Sequence, residues 1–504
     1  IDRAEYILIQ NNYTTGVITA TLEDSTYAQV TAETVAGTKD IATGNAFSVK
    51  VTDATLTAAK AIELNGMTTG TVDLTPGVGV VGLTGTAAEL AAVFGAKVAA
   101  GANGFLGSSL LDATATVVST DTVVSAADLH LIADATTGTK TITNVTRIVG
   151  LASDVAGIYA KAASITGEGN ENITLTDATL DAAVFKTLIP DDTVANTGMT
   201  SGDITIIGSA ISGSAADLKI IFVNPNSGLV AQHLNDDAGA VIGADAINFI
   251  ATDTAGISAA DAKLLTNATT GTVTATIAAN TTLAALIAST GLNQTAETIS
   301  DTFAGHNFTI NISDAEVTAA GLKTLATLTT GTISLDTAAT AGVQSPGLSG
   351  SIADVNSVYA NSKITGLGGS AITITGGATV AQINALNTTG LITAAITDGD
   401  ASTLAGLTGN TTALAITLSD TTITATALDA LDAKTTGQLN VGSTTTVTGT
   451  LAEVTATLGK TGTITGVGTV KVEVTSGTLT VAQANALDDL TTGKVKATIV
   501  EKDL

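Results

Sequence analysis

Short runs along the chain alternate apolar and polar residues. Ile173-Thr-Leu-Thr176, Thr272-Val-Thr-Ala-Thr-Ile277, Phe308-Thr-Ile-Asn-Ile312, Ala371-Ile-Thr-Ile-Thr375 and Val470-Lys-Val-Glu-Val474 all have period two. Such alternation predicts strands with one face buried and one wet. Between the runs lie Ala-rich stretches that open on an acidic or turn residue. In Asp53 to Leu64 the apolar residues Leu56, Ala59, Ile62 and Leu64 fall at roughly helical spacing, which predicts a short helix with one buried face. The same grammar recurs at Asp121 to Ile132, Asp177 to Ile189, Asp253 to Leu265, Asp314 to Leu325, Asp420 to Leu431 and Thr478 to Leu487. Strands separated by helices are expected to be parallel and joined by right-handed crossovers.

The tripeptide Thr-Thr-Gly punctuates this pattern. It ends at Gly16, Gly70, Gly138, Gly271, Gly331, Gly390, Gly437 and Gly493, with a degenerate Asn-Thr-Gly ending at Gly198. A period of about 60 residues over the whole length argues for one stacked array. Each period divides into two half-repeats of about 30 residues. The first carries the Ala-rich stretch, Thr-Thr-Gly and a strand. The second carries a capping-box pattern after a glycine: Thr86-Ala-Ala-Glu89, Ser214-Ala-Ala-Asp217, Ser351-Ile-Ala-Asp354 and Thr450-Leu-Ala-Glu453. Where the acid is Asp, its shorter reach makes the reciprocal bond harder to close. The glycine of Thr-Thr-Gly is expected to supply the left-handed residue that ends a helix. The predicted fold class is therefore an α/β repeat solenoid, with parallel strands alternating with short Ala-rich helices. One sheet is expected on its concave side, with curvature absorbing the mismatch between strand and helix spacing. Residues 1–50 read as an N-terminal cap or docking region, and 51–504 as a continuous solenoid. A Thr-free stretch at about 223–250 reads as an excursion from it.

Composition narrows the partners. The net charge is −26 with two arginines, Arg3 and Arg147, so phosphate backbones and anionic membranes are repelled and nucleic-acid binding is excluded as an expectation. The chain has no Cys and no Trp, and its core must be built from small aliphatic residues. No apolar run approaches the length of a membrane span. The chain opens at Ile1 without Met, which reads as a processed product or a segment.

Candidate chemistry is sparse. Gly77-Val-Gly-Val-Val-Gly82 matches a dinucleotide fingerprint but lacks the acidic residue needed about 20 positions on, so it reads as a structural turn. His130, His233 and His306 are far apart and show no metal spacing, and His130 reads as a helix-face residue. Calcium is the cation that the acidic turns would take, with Asp398 and Asp400 in one turn, Asp236 and Asp237 in another, and Glu168-Gly-Asn-Glu171 as a third. None of these forms an EF-hand loop. Thr-x-Thr runs could stand as outward hydroxyl ladders facing ice or a polysaccharide, but the Thr positions read as shifting between faces. Tyr6, Tyr13 and Tyr27 cluster near the N-terminus and are the candidates for an intersubunit interface.

The string Ile165-Thr-Gly-Glu-Gly-Asn-Glu-Asn-Ile-Thr-Leu-Thr-Asp-Ala-Thr-Leu180 resembles the repeats of very large cell-surface proteins of marine picocyanobacteria. So do Gly350-Ser-Ile-Ala-Asp354 through Tyr359, Ile364-Thr-Gly-Leu-Gly368 and the Thr-Thr-Gly-Thr-Val strand entries. That group includes a giant surface protein associated with swimming without flagella. The resemblance runs from about residue 50 onward. It implies an extracellular or cell-surface location and no enzymatic activity, and it carries over no functional residues. The expected function is a structural protein of a surface layer, filament or giant adhesin, self-assembling with identical subunits or neighbouring repeats. The alternative is a binding module presenting a Thr-rich or concave face to glycan or ice.

Overall fold

A computed structural model describes residues 1–12, 16–33, 41–75, 81–99, 102–117, 121–188, 200, 202–222, 247–278, 283, 286, 305–312, 314–335, 346–386, 388, 390–408 and 412–500. The architecture is α/β. Short strands alternate with short helices, and the strand pairs described are parallel. The chain divides into two compact units, Ile1–Asp253 with Leu264–Val273 and Thr254–Lys263 with Thr274–Leu504.

The first unit holds several parallel ladders rather than the single sheet expected. One runs Thr55–Thr57, Gly82–Gly85, Thr114–Val117, Lys140–Thr141, Ile165–Thr166. The next runs Val123–Ser125, Arg147–Gly150, Asn172–Leu175, Ile204–Ile206. A further one begins with Thr179–Asp181, Ala210–Gly213 and Asn248–Ala251. The hand-over has a local cause. A coil, meaning one strand–turn–helix segment of the chain, supplies two strands where it carries an Asp turn, one on each side of the turn, and they join different ladders. Thr114–Val117 and Val123–Ser125 flank Asp121, and Asn172–Leu175 and Thr179–Asp181 flank Asp177. The second unit repeats the device: Ala413–Thr417 and Thr422–Thr424 flank Asp420 and enter different ladders.

Helices follow the strands and stack on one another in order: Ala58–Met67, Ala87–Gly95, Ala126–Ala135, Ala152–Tyr159 and Ala182–Leu188. Hydroxyls start them. Thr57, Thr86, Ser125, Thr318, Ser351, Thr424 and Thr450 each accept the amide three residues on. The full capping box closes at Thr86/Glu89 and Thr450/Glu453. With Asp it does not: Ser214 and Ser351 bond the Asp carboxylate through their own hydroxyls instead, at 2.7 and 2.8 Å. The cap at Thr57 also resets the helical phase. Leu56 belongs to the preceding strand, and the buried face is Ala58, Ala61, Leu64 and Met67, while Ala59 and Ile62 face outward.

Small residues let consecutive helix starts approach. A Cβ built on Gly85, Gly150, Gly213 or Gly350 would meet the Cβ of Ala58, Ala126, Ala182 or Ala319 at 2.5–2.9 Å. Each alanine opens the helix of the coil before. Near the N-terminus, Tyr6 on helix Arg3–Asn12 is buried edge-on against Phe47, with ring centroids 5.4 Å apart. Strand Thr19–Ser25 pairs with Ala46–Val51, so the ladder pattern extends into residues 19–51. Of the excursion, residues 223–246 lie outside the described residues; its end runs into the ordinary strand Asn248–Ala251.

Candidate functional site

The recurrent site is the joint between coils, and Thr-Thr-Gly makes it. The first Thr is buried, and its Oγ1 donates to a backbone carbonyl of the preceding coil. Thr136 reaches Ala113 O at 2.6 Å, Thr269 Ile247 O at 2.6 Å, Thr329 Phe308 O at 2.9 Å, Thr435 Leu414 O at 2.8 Å and Thr491 Val470 O at 2.7 Å. Thr68 bonds Phe47 O in the same way. The same oxygen accepts the amide of the glycine two residues on, at 2.9–3.0 Å in Gly70, Gly138, Gly271, Gly331, Gly437 and Gly493. The second Thr is exposed and uses its backbone amide, as Thr436 N does on Thr412 O at 2.9 Å.

This corrects the expected role of the glycine. Among these copies only Gly16 has a positive φ, at 110°. Elsewhere Gly is required by proximity: a Cβ at Gly70, Gly138, Gly331, Gly437 or Gly493 would fall on the carbonyl of Phe47, Ala113, Phe308, Leu414 or Val470. The degenerate copy also moves. Thr200 donates to Glu171 O and accepts Gly202 N at 2.9 Å, so Thr200-Ser-Gly202 is the joint there. Asn196-Thr-Gly198 lies outside the described residues.

A second contact joins coils through the acidic turn residue. Asp53, Asp121, Asp177, Asp253 and Asp420 accept the first helical amide of the preceding coil, from Tyr27, Ala87, Ala152, Ala215 and Ala401, and Asp314 accepts Leu283 N, all at 2.7–2.8 Å. A carboxylate at a helix N-terminus satisfies an orphan donor and complements the dipole. The sequence shows these residues opening the Ala-rich stretches, but not that each reaches an amide 19–38 residues earlier.

Asp398 belongs to this set, accepting Val380 N at 2.6 Å. Asp400 caps helix Ala401–Leu404, accepting Thr403 N at 2.9 Å and Ser402 Oγ at 2.6 Å. The hydroxyl of Ser402 first, then Thr403, holds its carboxyl down at about 2. Asp236, Asp237, Tyr13 and His233 lie outside the described residues. Among the described residues, no three His, Cys, Asp or Glu gather closely enough to hold a metal. Tyr6 is committed to the core, and the Tyr27 hydroxyl bonds Glu63. Gly77 and Gly79 are not among the described residues, and Gly82 sits in a strand between Thr55 and Thr114.

His130 stands on a helix face and spans helices. Its Nδ1 is 3.1 Å from Asp154 and its Nε2 is 3.3 Å from Asp134. Lys186 and Lys323 occupy the equivalent place on their helices and pair with Asp217 and Asp354. His306 lies against Phe308, and burial pushes its pKa down. Lys140 is buried, its Nζ donating to Thr136 O at 3.0 Å, and burial lowers its pKa.

The turn Glu168–Glu171 closes on itself. Glu171 is fully buried. One oxygen accepts Tyr159 Oη at 2.5 Å, and the other accepts Gly169 N and Asn170 N at 2.7 and 2.9 Å. Glu168 Oε2 is buried with no hydrogen-bond partner among the described residues, and burial, reinforced by Glu171, pushes its carboxyl up to about 7. Burial against the Glu171 charge raises the Tyr159 phenol as well.

Among the described residues, no helix is long and apolar enough to cross a membrane. No protein-family model matches this chain, and no curated protein matches it significantly in sequence.

Proposed function

We propose that this chain is a non-enzymatic structural repeat protein. It is read as a βα solenoid with a period of about 60 residues, displayed outside the cell in a surface layer, filament or adhesin. The observation that carries the reading is the joint. The same buried Thr hydroxyl and close-packed Gly lock coil to coil again and again, from Thr68 to Thr491. The recurrent Asp carboxylates, Asp398 among them, are likewise spent on joining neighbouring elements, as expected of an array whose work is mechanical. Negative-stain microscopy of the purified chain, with calcium and with chelator, tests it. Ordered filaments or sheets are expected, and isolated particles at high concentration in both conditions would count against assembly.

A second reading rests on one observation. Thr57, Thr84, Thr116, Thr141 and Thr166 align in register across five strands of one ladder, whereas Thr274 pairs with Asn307 and Thr446 with Lys471 in others. Thr55 and Thr114 flank Gly82 on the same face. This uncharged hydroxyl array is the face that would meet glycan or ice. Blank results from both a glycan array and an ice-recrystallisation assay would remove this reading.

A further inference from the structure

The repeat is broken chemically at one joint. Three turns share a frame: Ile165-Thr-Gly-Glu-Gly-Asn-Glu171, Ile364-Thr-Gly-Leu-Gly-Gly-Ser370 and Ile464-Thr-Gly-Val-Gly-Thr-Val470. Each opens with a two-residue strand and a left-handed glycine, Gly167, Gly366 or Gly466, at φ of 80–87°. Where the siblings bury Leu367 and Val467, this turn places Glu168. Where they bury Ser370 and Val470, it places Glu171. Two carboxyls thus stand in a socket that the fold otherwise fills with uncharged side chains.

We propose that the Gly167–Glu171 turn is a pH-sensitive latch, closed while Glu168 is protonated and loosened when it ionises. Among the described residues, the groups facing Glu168 leave its charge unanswered. Glu171 from the turn is a like charge, Tyr159 from helix Ala152–Tyr159 spends its proton on Glu171, and Thr200 spends its own on Glu171 O. Lys161, which follows that helix, is 3.1 Å from Asp134. Glu168 is half-buried where Leu367 is buried, and its neutral form needs no counter-charge for the buried Oε2. An ionised Glu168 repels Glu171 and must reach water, which pulls on the amides of Gly169 and Asn170. The consequence reaches the joint, because the carbonyl of Glu171 is the acceptor for Thr200.

The direction follows from the raised carboxyl. The folded turn keeps a proton that the unfolded chain has released above the ordinary Glu value of 4.5, up to about 7. The closed state therefore weakens as pH rises across that window, and the contribution is lost above it.

Hydrogen exchange of the full chain at pH 5.5 and 8.5, corrected for intrinsic rate, tests the latch. Protection in the peptide covering 167–175 is expected to fall about tenfold at the higher pH, a screened share of the carboxyl's shift. The sibling peptide covering 366–375 is the internal reference and stays flat. Glu168→Leu, the sibling's own residue, and Glu168→Gln are each expected to abolish the difference while keeping the fold by circular dichroism. Equal behaviour of the two wild-type peptides overturns the proposal, with or without a folded variant. So does a pH dependence that survives either substitution.

Discussion

Replacing Thr435 by Val separates the hydroxyl's role from that of its volume. Thr435 Oγ1 accepts Gly437 N at 2.9 Å and Leu414 N at 2.8 Å, and its proton lies between the carbonyls of Leu414 and Thr412 at 2.8 and 3.0 Å. Valine keeps the shape, so no cavity opens, but two amides, that of Leu414 buried and that of Gly437 partly buried, lose their acceptor. At about 1–2 kcal/mol for each unsatisfied donor, the loss is about 2–4 kcal/mol, a large fraction of the ~5–15 kcal/mol that holds a domain together. Thr436 is the control within the same motif. It is exposed, its hydroxyl makes one long bond to Thr412 O at 3.3 Å, and its amide bond survives substitution. Thr436→Val is expected to cost under about 0.5 kcal/mol. Urea unfolding followed by circular dichroism measures both. Repeat arrays need not unfold in one step, so amide exchange in Ala413–Thr417 and Leu439–Asn440 supplies the local reading. Equal costs for the two variants would refute the view that the buried hydroxyl, rather than Thr content in general, fastens the coils.

Asp398→Ala is expected to cost about 1–2 kcal/mol by freeing the Val380 amide, with faster exchange confined to helix Val380–Asn384. Asp398→Asn, which keeps an oxygen in place, should lose less, and equal losses would point to charge rather than the bond. The depressed carboxyl of Asp400 contributes above the ordinary carboxylate range and is lost only as pH falls through about 2. Helix Ala401–Leu404 should therefore keep its cap at pH 3, and carboxyl carbon shifts that show Asp400 titrating near pH 4 would contradict this. Lys186 holds the Asp217 carboxyl below its usual range, with Ser214 helping. Lys186→Ala should let Asp217 titrate higher, and an unmoved titration would mean that Ser214 alone does the work.

What the sequence disclosed follows from which interactions leave a periodic trace. Period-two runs such as Phe308 to Ile312 and Val470 to Val474 announced strands, because alternate residues face the core. Thr86/Glu89 and Thr450/Glu453 announced caps, because both partners are close in sequence. Helical phase was less legible: Leu56 fits a helical spacing with Leu64, yet the cap at Thr57 puts it in a strand. The joints were visible as a motif but not as a mechanism. Thr329 and its acceptor Phe308 O are 21 residues apart, and a backbone acceptor leaves no mark in the sequence. The same holds for Asp121, which reaches back 34 residues to the amide of Ala87. At Glu168 the signal was present in full, as an acid where sibling turns have Leu367 and Val467, but aligning the turns required knowing that they share a fold.

The contact between Gly213 and Ala182 tests how helices and strands of different natural spacing are kept in step. Parallel strands repeat at about 4.8 Å, whereas packed helices stand about 8–10 Å apart. The ladders accommodate this by handing over at Asp turns, and the helix starts by removing side chains. A Cβ on Gly213 would lie 2.5 Å from the Cβ of Ala182. Gly213→Ala should therefore push the coils apart and cost about 1–3 kcal/mol, as overpacking does, although it replaces a strand glycine and reduces backbone entropy in the unfolded chain. Ala182→Gly alone, at the first position of its helix, should cost under about 1 kcal/mol. If the contact is the cause, the double variant recovers most of the loss, with a coupling of about 1–2 kcal/mol. The mirror-image pair, with Ala in the strand and Gly at the helix start, restores the same separation. Additive losses would mean that Gly213 is needed for its backbone, and that close approach of the helix starts is not what brings the two spacings into register.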